Sequence, residues 1–493
     1  MIRIKLTIYL LLLINVLLFC MPNMEGKKYN VGFRYYTEYD SSRLYIYNQD
    51  TINRPMLVHF WYPSKEKSEN GNMNYKQYVN LISIREDFLK EKETIEQDSY
   101  NFVNAYAQFA QKSYGIGLNI STQQILESPV KASLNLEIEK GEFPLIIYAP
   151  SNSKSSIQNH VICEYLASNG FYVISVSSAG PNSIERKNFK QSVLAQVKDM
   201  EFILNFIKTN NNINYSSIGL LGFSTGGLAT AIFQMKHKSV SAIFNMDGSN
   251  EYSMYLSLSK FEDYDISKTG IPYFLVGNQN KQSIYPYYNS IRTENKFYFK
   301  MLHLSHFGFV SFWTYFDTCN PDTTQHDFSK SYELICESAS TFFDATLNEN
   351  KKSNGKLSGM RNQKNNFAVY EQLDCFETMQ LLNTFLSENI NVAIATYKNH
   401  KAQNFNDYNY NEEEISLLGR MLIDYDIDAA IKLLQFNRDE YPASWHVYYD
   451  LAFSYKIKGD FNSAKTTLLK ALELGNDNKD VKDLLKELES KSS

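Results

Sequence analysis

Three side chains in this sequence are placed to do chemistry together: a serine at a tight turn, a carboxylate at the tip of an apolar run, and an imidazole in a later loop. The serine lies in Gly222-Phe223-Ser224-Thr225-Gly226-Gly227, after Ile218-Gly219-Leu220-Leu221 and before a helix-like stretch from Leu228 to Lys236. Strand, turn and helix around G-x-S-x-G form a nucleophile elbow. Such a turn forces strained backbone angles and brings strand and helix together, so side chains at Gly222 and Gly226 would collide. The strain aims the serine oxygen out of the sheet. It also leaves the N–H of Thr225 at a helix N-terminus, where an oxyanion can be bound.

The partners follow from chain order, which for this arrangement is serine, acid, histidine. Asp247 ends the run Ala242-Ile243-Phe244-Asn245-Met246 and precedes Gly248. A carboxylate at the end of a buried strand is costly unless something nearby uses it. The competing reading is an ordinary Asp-Gly turn. Asp263 and Asp265 are the other acids in range, in a polar loop with no strand leading into it. Of the eight histidines, His303, His306 and His326 follow the acid within the same region. His306, in Leu304-Ser305-His306-Phe307-Gly308-Phe309, lies beyond the last strand, where a loop can return the ring over the serine. His303 still belongs to the strand end. In this scheme His306 takes the Ser224 proton and Asp247 holds the imidazole in its tautomer. A second oxyanion donor is expected from the loop after Leu145–Ala149. Pro150 has no N–H, which leaves the backbone of Asn152, with Ser151 as the alternative.

Elements must position these groups. Leu145–Ala149, Phe171–Ser178, Ser217–Leu221, Ser239–Met246, Ile271–Val276 and Lys296–Leu302 read as buried strands. Asn159–Ser168 and Gln191–Lys208 read as helices between them. Strands alternating with helices predict an α/β fold, a mostly parallel sheet covered on both faces, with its site at the carboxyl ends of the strands. Val31–Glu38 and Arg54–Tyr62 are earlier strands. Between about 74 and 134 the pattern changes to amphipathic helices, Tyr75–Ile84, Arg85–Glu96 and Ser99–Ser113. That insertion is either a cap over the site or a peripheral helical layer.

The residues Phe143-Pro144-Leu145-Ile146-Ile147-Tyr148, the stretch Glu164–Val173, the Ser224 turn, Asp247 and Ser305-His306-Phe307 resemble platelet-activating factor acetylhydrolase-like and dienelactone hydrolase-like esterases of the α/β-hydrolase fold. The resemblance covers about residues 30 to 345. It implies carboxylic-ester hydrolysis of a small-molecule or lipid-like substrate with no cofactor and no metal. The chain departs from the family at Pro150-Ser151, where His-Gly is usual, and at Thr225, where a bulky residue is usual.

The remaining chain sets bounds on class. A length of 493 residues predicts two or three domains, and a formal net charge of -5 without a Lys/Arg cluster argues against a nucleic-acid partner. Tyrosine (36) and phenylalanine (32) are abundant, which fits codon bias as well as an aromatic ligand surface. The five cysteines include no C-x-x-C pair; Cys319 and Cys336 are spaced to pair in an oxidising compartment or to remain buried thiols. Arg3 and Lys5, an apolar run to Met21 and a polar exit describe an export signal over residues 1–21. Cys20 follows Leu17-Leu18-Phe19, an imperfect match to a lipoprotein box because Phe19 is large. The expected location is therefore periplasmic, envelope-associated or secreted, with membrane association through the N-terminal segment as one variant.

After a closing helix, Phe328–Leu347, the polar segment 348–366 reads as a linker. Helical segments follow from 367 to 410. Residues 411–490 show a period of 34: Tyr448, Leu451, Ala452, Ala464 and Leu468 in one copy, Leu417, Leu418, Met421, Ala430 and Leu434 in the other. That period matches tetratricopeptide repeats. Gly459-Asp460 supplies a turn and N-cap, Asn437 occupies a place that usually takes alanine, and Asp480–Leu488 reads as a capping helix. Two repeats are fewer than the three a solenoid needs, so either Phe367–Lys398 is a degenerate repeat or the pair docks on the hydrolase. The module then serves either as a groove for a peptide or partner protein or as an appended stabilising element. The rival to an esterase is accordingly an interaction protein with a vestigial hydrolase, and a peptidase or lactonase on the same three side chains is a third reading.

Overall fold

The computed structural model describes residues 28–491, apart from 70, 115–120, 153, 186–187, 210–212, 259, 281–282, 316–327, 362–363, 371–375, 404–411 and 476–477. The export signal, Cys20, Cys319, Cys375 and His326 lie outside the described residues. Among the described residues no helix is long and apolar enough to cross a membrane. The chain forms two compact units: one comprises residues up to Gly248, Ser267–Asn280 and Arg292–Gln372, the other Ser249–Ile266, Lys281–Ile291 and Leu373–Ser493.

The first unit is built on a ten-stranded sheet. Its strands are β1 (Asn30–Tyr47), β2 (Asp50–Ser64), β3 (Ala132–Leu134), β4 (Phe143–Ala149), β5 (Tyr172–Val176), β6 (Tyr215–Phe223), β7 (Val240–Met246), β8 (Tyr273–Gly277), β9 (Lys296–Met301) and β10 (Ala368–Tyr370). They lie in the order β10-β9-β8-β7-β6-β4-β5-β2-β1-β3. Strands β4 to β9 are parallel to their neighbours in this block, and β2 joins its edge antiparallel to β5. These strands read as continuous apolar runs because helices cover both faces of a parallel sheet. Leu220, Leu221, Ile146, Ile147, Phe244 and Phe274 are fully buried. The order reverses at β4, whose neighbours β5 and β6 follow it in sequence on opposite sides, and ligand sites in open parallel sheets form at such a reversal.

Helices α1 (Tyr75–Ser83), α2 (Lys92–Tyr114) and α3 (Thr122–Glu127) make up the insertion. One long helix replaces the two expected between Arg85 and Ser113. The Asp87 carboxylate accepts from Leu89 N at 3.0 Å, a local turn that competes with helix and delays it to Lys92. Helices α4 (His160–Ser168), α5 (Phe189–Thr209) and α6 (Gly226–Lys236) connect the parallel strands.

Two stretches correct the sequence reading. The expected linker contains a helix: α7 (Phe328–Leu347) is followed at once by α8 (Lys351–Met360). Asn350 caps α8 by accepting from Lys352 N at 3.0 Å, and Leu357 and Met360, one turn apart, are buried. An exposed polar face with Gly355 and Gly359 hides that two-residue apolar signal. Ala368–Tyr370, expected in a helix, is instead strand β10, paired antiparallel to β9 with Val369 opposite Lys300. A free strand edge recruits a short segment whatever its propensity.

The second unit contains α9 (Phe376–Ser387), α10 (Ile390–Gln403), α11 (Glu412–Leu422), α12 (Ile427–Glu440), α13 (Trp445–Lys458), α14 (Phe461–Leu474) and α15 (Lys479–Lys491). The first six pack as successive helix pairs, and α15 packs on α14. Ala452 and Ala464 are fully buried where α13 and α14 meet. Gly459 at φ +86° ends α13, and Asp460 caps α14 by accepting from Ser463 N at 3.1 Å. Asn437 donates to Ser416 Oγ and to Glu412 O, each at 3.0 Å, so a polar bridge stands where alanine usually packs. Ser249–Ile266 and Lys281–Ile291, read from sequence as part of the hydrolase segment, cluster with these helices; Lys260 Nζ sits 4.1 Å from the Tyr425 ring centroid.

Candidate active site

The elbow sits where β6 turns into α6. An added Cβ at Gly222 would come 2.2 Å from Asn245 Oδ1, and one at Gly226 would come 2.0 Å from the Ala149 carbonyl oxygen. Both glycines are therefore required by close approach. Ser224 between them has φ +54°, a left-handed conformation that costs a non-glycine residue about 1 kcal/mol or more. Its amide donates to Met246 O at 3.1 Å, which ties the turn to the end of β7.

Asp247 follows that strand end, and it too is left-handed, at φ +44°. Its side chain is 1% exposed. Asn278, just past β8, donates through Nδ2 to both carboxylate oxygens, at 3.1 and 3.0 Å. Asp247 N donates to Val276 O at 2.7 Å, so two successive strands hold the acid. His306 opens the short turn His306–Phe309 beyond β9. Its Nδ1 lies 2.5 Å from Asp247 Oδ2 and its Nε2 lies 3.1 Å from Ser224 Oγ. The Phe223 ring stacks on the imidazole with centroids 5.4 Å apart.

The sequence-predicted trio is thus brought together. His303 is not part of it: its Nε2 reaches Asn366 O at 2.7 Å. Asp263 and Asp265 belong to the second unit. Thr225 is buried at the start of α6. In the loop after β4, Ser151 lines the adjoining cavity, while Asn152 is exposed. Asn278 escaped the sequence reading, because Gly277-Asn278-Gln279-Asn280 looks like any polar loop; its place directly after a buried strand was the available signal.

The cavity beside His306 has a volume of about 300 Å³. Its walls are mainly aromatic: Tyr106, Phe109, Tyr148, Phe223, Phe307 and Trp313. Tyr106 and Phe109 come from α2, so the insertion forms one wall of the site rather than a remote layer. Phe109 meets Phe307 edge-on at 5.3 Å. Gln158 Nε2 bonds Tyr106 Oη, and burial pushes the Tyr106 phenol up to about 12, so it stays protonated. Asn159 Nδ2 donates to Tyr148 Oη at 2.9 Å. Behind α1, Glu164 accepts from Tyr78 Oη at 2.9 Å and from Ala132 N at 3.0 Å, and so ties both ends of the insertion to α4. Burial raises the Glu164 carboxyl to about 7 against the pull of those bonds.

Strand order with an antiparallel second strand, the elbow after β6 and the acid after β7 define an α/β-hydrolase fold carrying an all-helical C-terminal unit. No protein-family model and no curated protein matches the sequence. Among solved structures, a ferulic acid esterase from Streptomyces cinnamoneus is similar at 15% identity and TM-score 0.49, over 70% of this chain and 98% of that one.

Proposed function

We propose that this protein is a serine hydrolase of carboxylic esters. The observation that carries the reading is a single imidazole with its two nitrogens 2.5 Å from Asp247 and 3.1 Å from Ser224. Ser224 Oγ attacks the ester carbonyl while His306 Nε2 takes its proton. The carbonyl oxygen becomes an oxyanion bound by Thr225 N–H and by an N–H of the loop after β4. Collapse of that intermediate breaks the C–O bond, and His306 returns the proton to the departing alcohol. Water then attacks the acyl-enzyme with His306 again as base, which regenerates Ser224. Asp247, aligned by Asn278, favours the Nδ1-protonated tautomer and stabilises the imidazolium.

The aromatic cavity favours esters with a bulky apolar or aromatic group, because an apolar site gains by excluding water from such surfaces. The charged start and apolar run before Met21 support export. The 34-residue period and the stacked helix pairs support a tetratricopeptide-like module that binds a protein or peptide partner. An interaction protein with an idle hydrolase would have no use for a strained serine at the elbow, which favours the enzyme. The test is hydrolysis of aryl esters of increasing acyl size by the full chain and by Ser224→Ala. Turnover that rises with apolar acyl size and disappears in the variant supports the reading; turnover that persists in the variant, or never occurs, rejects it.

A further inference from the structure

Beneath the loop that follows β4 lies a buried amide that the chemistry above does not use. Gln196, on α5, is 2% exposed; its Nε2 donates to Pro150 O at 2.7 Å and its Oε1 has no partner. A half-satisfied amide in a packed interior is a standing cost, and an apolar side chain of the same shape would avoid it. The helix under it is fixed in place: Asp199, one turn on, accepts from Arg54 Nε at 2.8 Å and from Arg54 Nη2 at 2.6 Å. Gln196 therefore reaches Pro150 from a rigid support.

The direction of that bond matters. Pro150 O lies 3.0 Å from the position a Cβ would take at Gly226, so the carbonyl is turned in under the elbow. No peptide bond among the described residues is cis. In a planar trans peptide the N–H points opposite to the C=O. Holding Pro150 O against Gln196 therefore turns Ser151 N–H the other way. Ser151 O in turn accepts from Lys154 N at 3.1 Å, which sets the Asn152 peptide in the same manner. Among the described residues, neither Ser151 N nor Thr225 N donates to a protein acceptor. Ser151 lines the same cavity as His306.

We infer that Gln196 is a positioning residue for the oxyanion site: by holding the Pro150 carbonyl it presents the Ser151 amide to the carbonyl oxygen of the substrate as charge develops. The inference rests on the esterase reading. An oxyanion donor is worth about 10²- to 10³-fold in kcat, and a misplaced loop forfeits part of that.

The test is steady-state kinetics of the full chain on an activated aryl ester, with Gln196→Met and Gln196→Glu beside the wild type. Gln196→Met keeps shape but cannot donate. Its kcat is expected to fall about 10- to 100-fold with KM within about threefold, and its affinity for an aryl trifluoromethyl ketone to fall by a similar factor. In Gln196→Glu the introduced carboxyl can donate to Pro150 O only when protonated. Its kcat relative to wild type should rise about tenfold as pH falls from about 8 to about 5, a change that mere loss of packing would not produce. Wild-type kcat in Gln196→Met, a loss confined to KM, or a flat pH ratio in Gln196→Glu overturns the inference alone. A wild-type chain that neither hydrolyses esters nor takes up a phosphonate overturns the esterase reading and this inference with it. Should the variants lose cooperative melting, a crystal structure of the wild type phosphonylated on Ser224 decides. A phosphonyl oxygen bonded to Thr225 N and to a loop amide, with Gln196 still on Pro150 O, supports the role; an oxygen turned away from the loop contradicts it.

Discussion

In the sheet unit, Ser224 at φ +54° and Asp247 at φ +44° hold left-handed backbone at the ends of neighbouring parallel strands. Among the paired helices of the second unit, the left-handed position after α13 is taken by Gly459 at φ +86°, where it carries no steric cost. Buried polar groups divide in the same way. Asn437 bridges Ser416 and Glu412, and Thr378 donates to Glu414 at 2.8 Å, both between helices that pack together. Asn278 and Gln196 instead bond Asp247 and Pro150 O, at the carboxyl ends of the parallel strands. Left-handed backbone alone does not mark a site, since Tyr285 at φ +48° and Glu349 at φ +52° also adopt it; Ser224 and Asp247 are set apart because one imidazole, His306, bonds both side chains.

Variants of the two units should separate accordingly. The largest effect is expected from Ser224→Ala, which should lower kcat/KM by about 10⁴-fold or more on an aryl ester while the melting temperature stays level, because alanine keeps the left-handed backbone and only the hydroxyl is lost. Asn278→Ala should follow, with kcat down about 10- to 100-fold as the carboxylate loses its clamp and the imidazole its alignment. A melting temperature that falls with no change in kcat would instead mark Asn278 as structural.

Next in size is a dependence of stability on pH in the sheet unit. The Glu164 carboxyl is raised to about 7 by burial, so its contribution is fully present below the unfolded value near 4.5 and is lost as pH rises through about 7. The loss amounts to about 3 kcal/mol at most. Denaturant melts of wild type and Glu164→Gln between about pH 5 and pH 8 should show the wild type losing stability relative to the variant. Burial also lowers His59 to about 3 and His160 to about 4, so their contribution is present above about 6.5 and lost as pH falls toward those values.

Ala452→Leu should cost the helical unit about 1–3 kcal/mol, since a larger side chain forces α13 and α14 apart. Ester turnover by the sheet unit should not change, and parallel loss of kcat would break the division drawn above. The smallest effect is expected from Thr225→Val. Thr225 Oγ1 is buried without a partner, so its removal should leave stability unchanged or slightly raised and kcat within about twofold, the backbone N–H being retained.

How much of this was legible in the sequence follows from how strong each local signal is. Parallel strands buried on both faces read as unbroken apolar runs, and β4 to β9 appear where those runs stand. The elbow was legible because two glycines flank a serine between strand and helix. Asp247 was legible as a carboxylate at the tip of such a run. Asn278 and Gln196 were not, since an amide in a loop or on an amphipathic helix carries no mark of what lies across the fold. The start of α2 was misread because a side-chain turn at Asp87 outweighed helix periodicity. Helix α8 was hidden by a polar face with two glycines, and β10 by its dependence on a neighbouring strand edge. Residues 249–266 and 281–291 join the helical unit through long-range packing that no local pattern records.

The account turns on Ser224 being activated by His306. Peptide mapping of the full chain after reaction with a fluorophosphonate measures this directly. One adduct per chain, located on Ser224 and absent from His306→Ala under the same conditions, is the predicted result. An adduct on another residue, labelling of Ser224 that is indifferent to His306→Ala, or no adduct at all would contradict it.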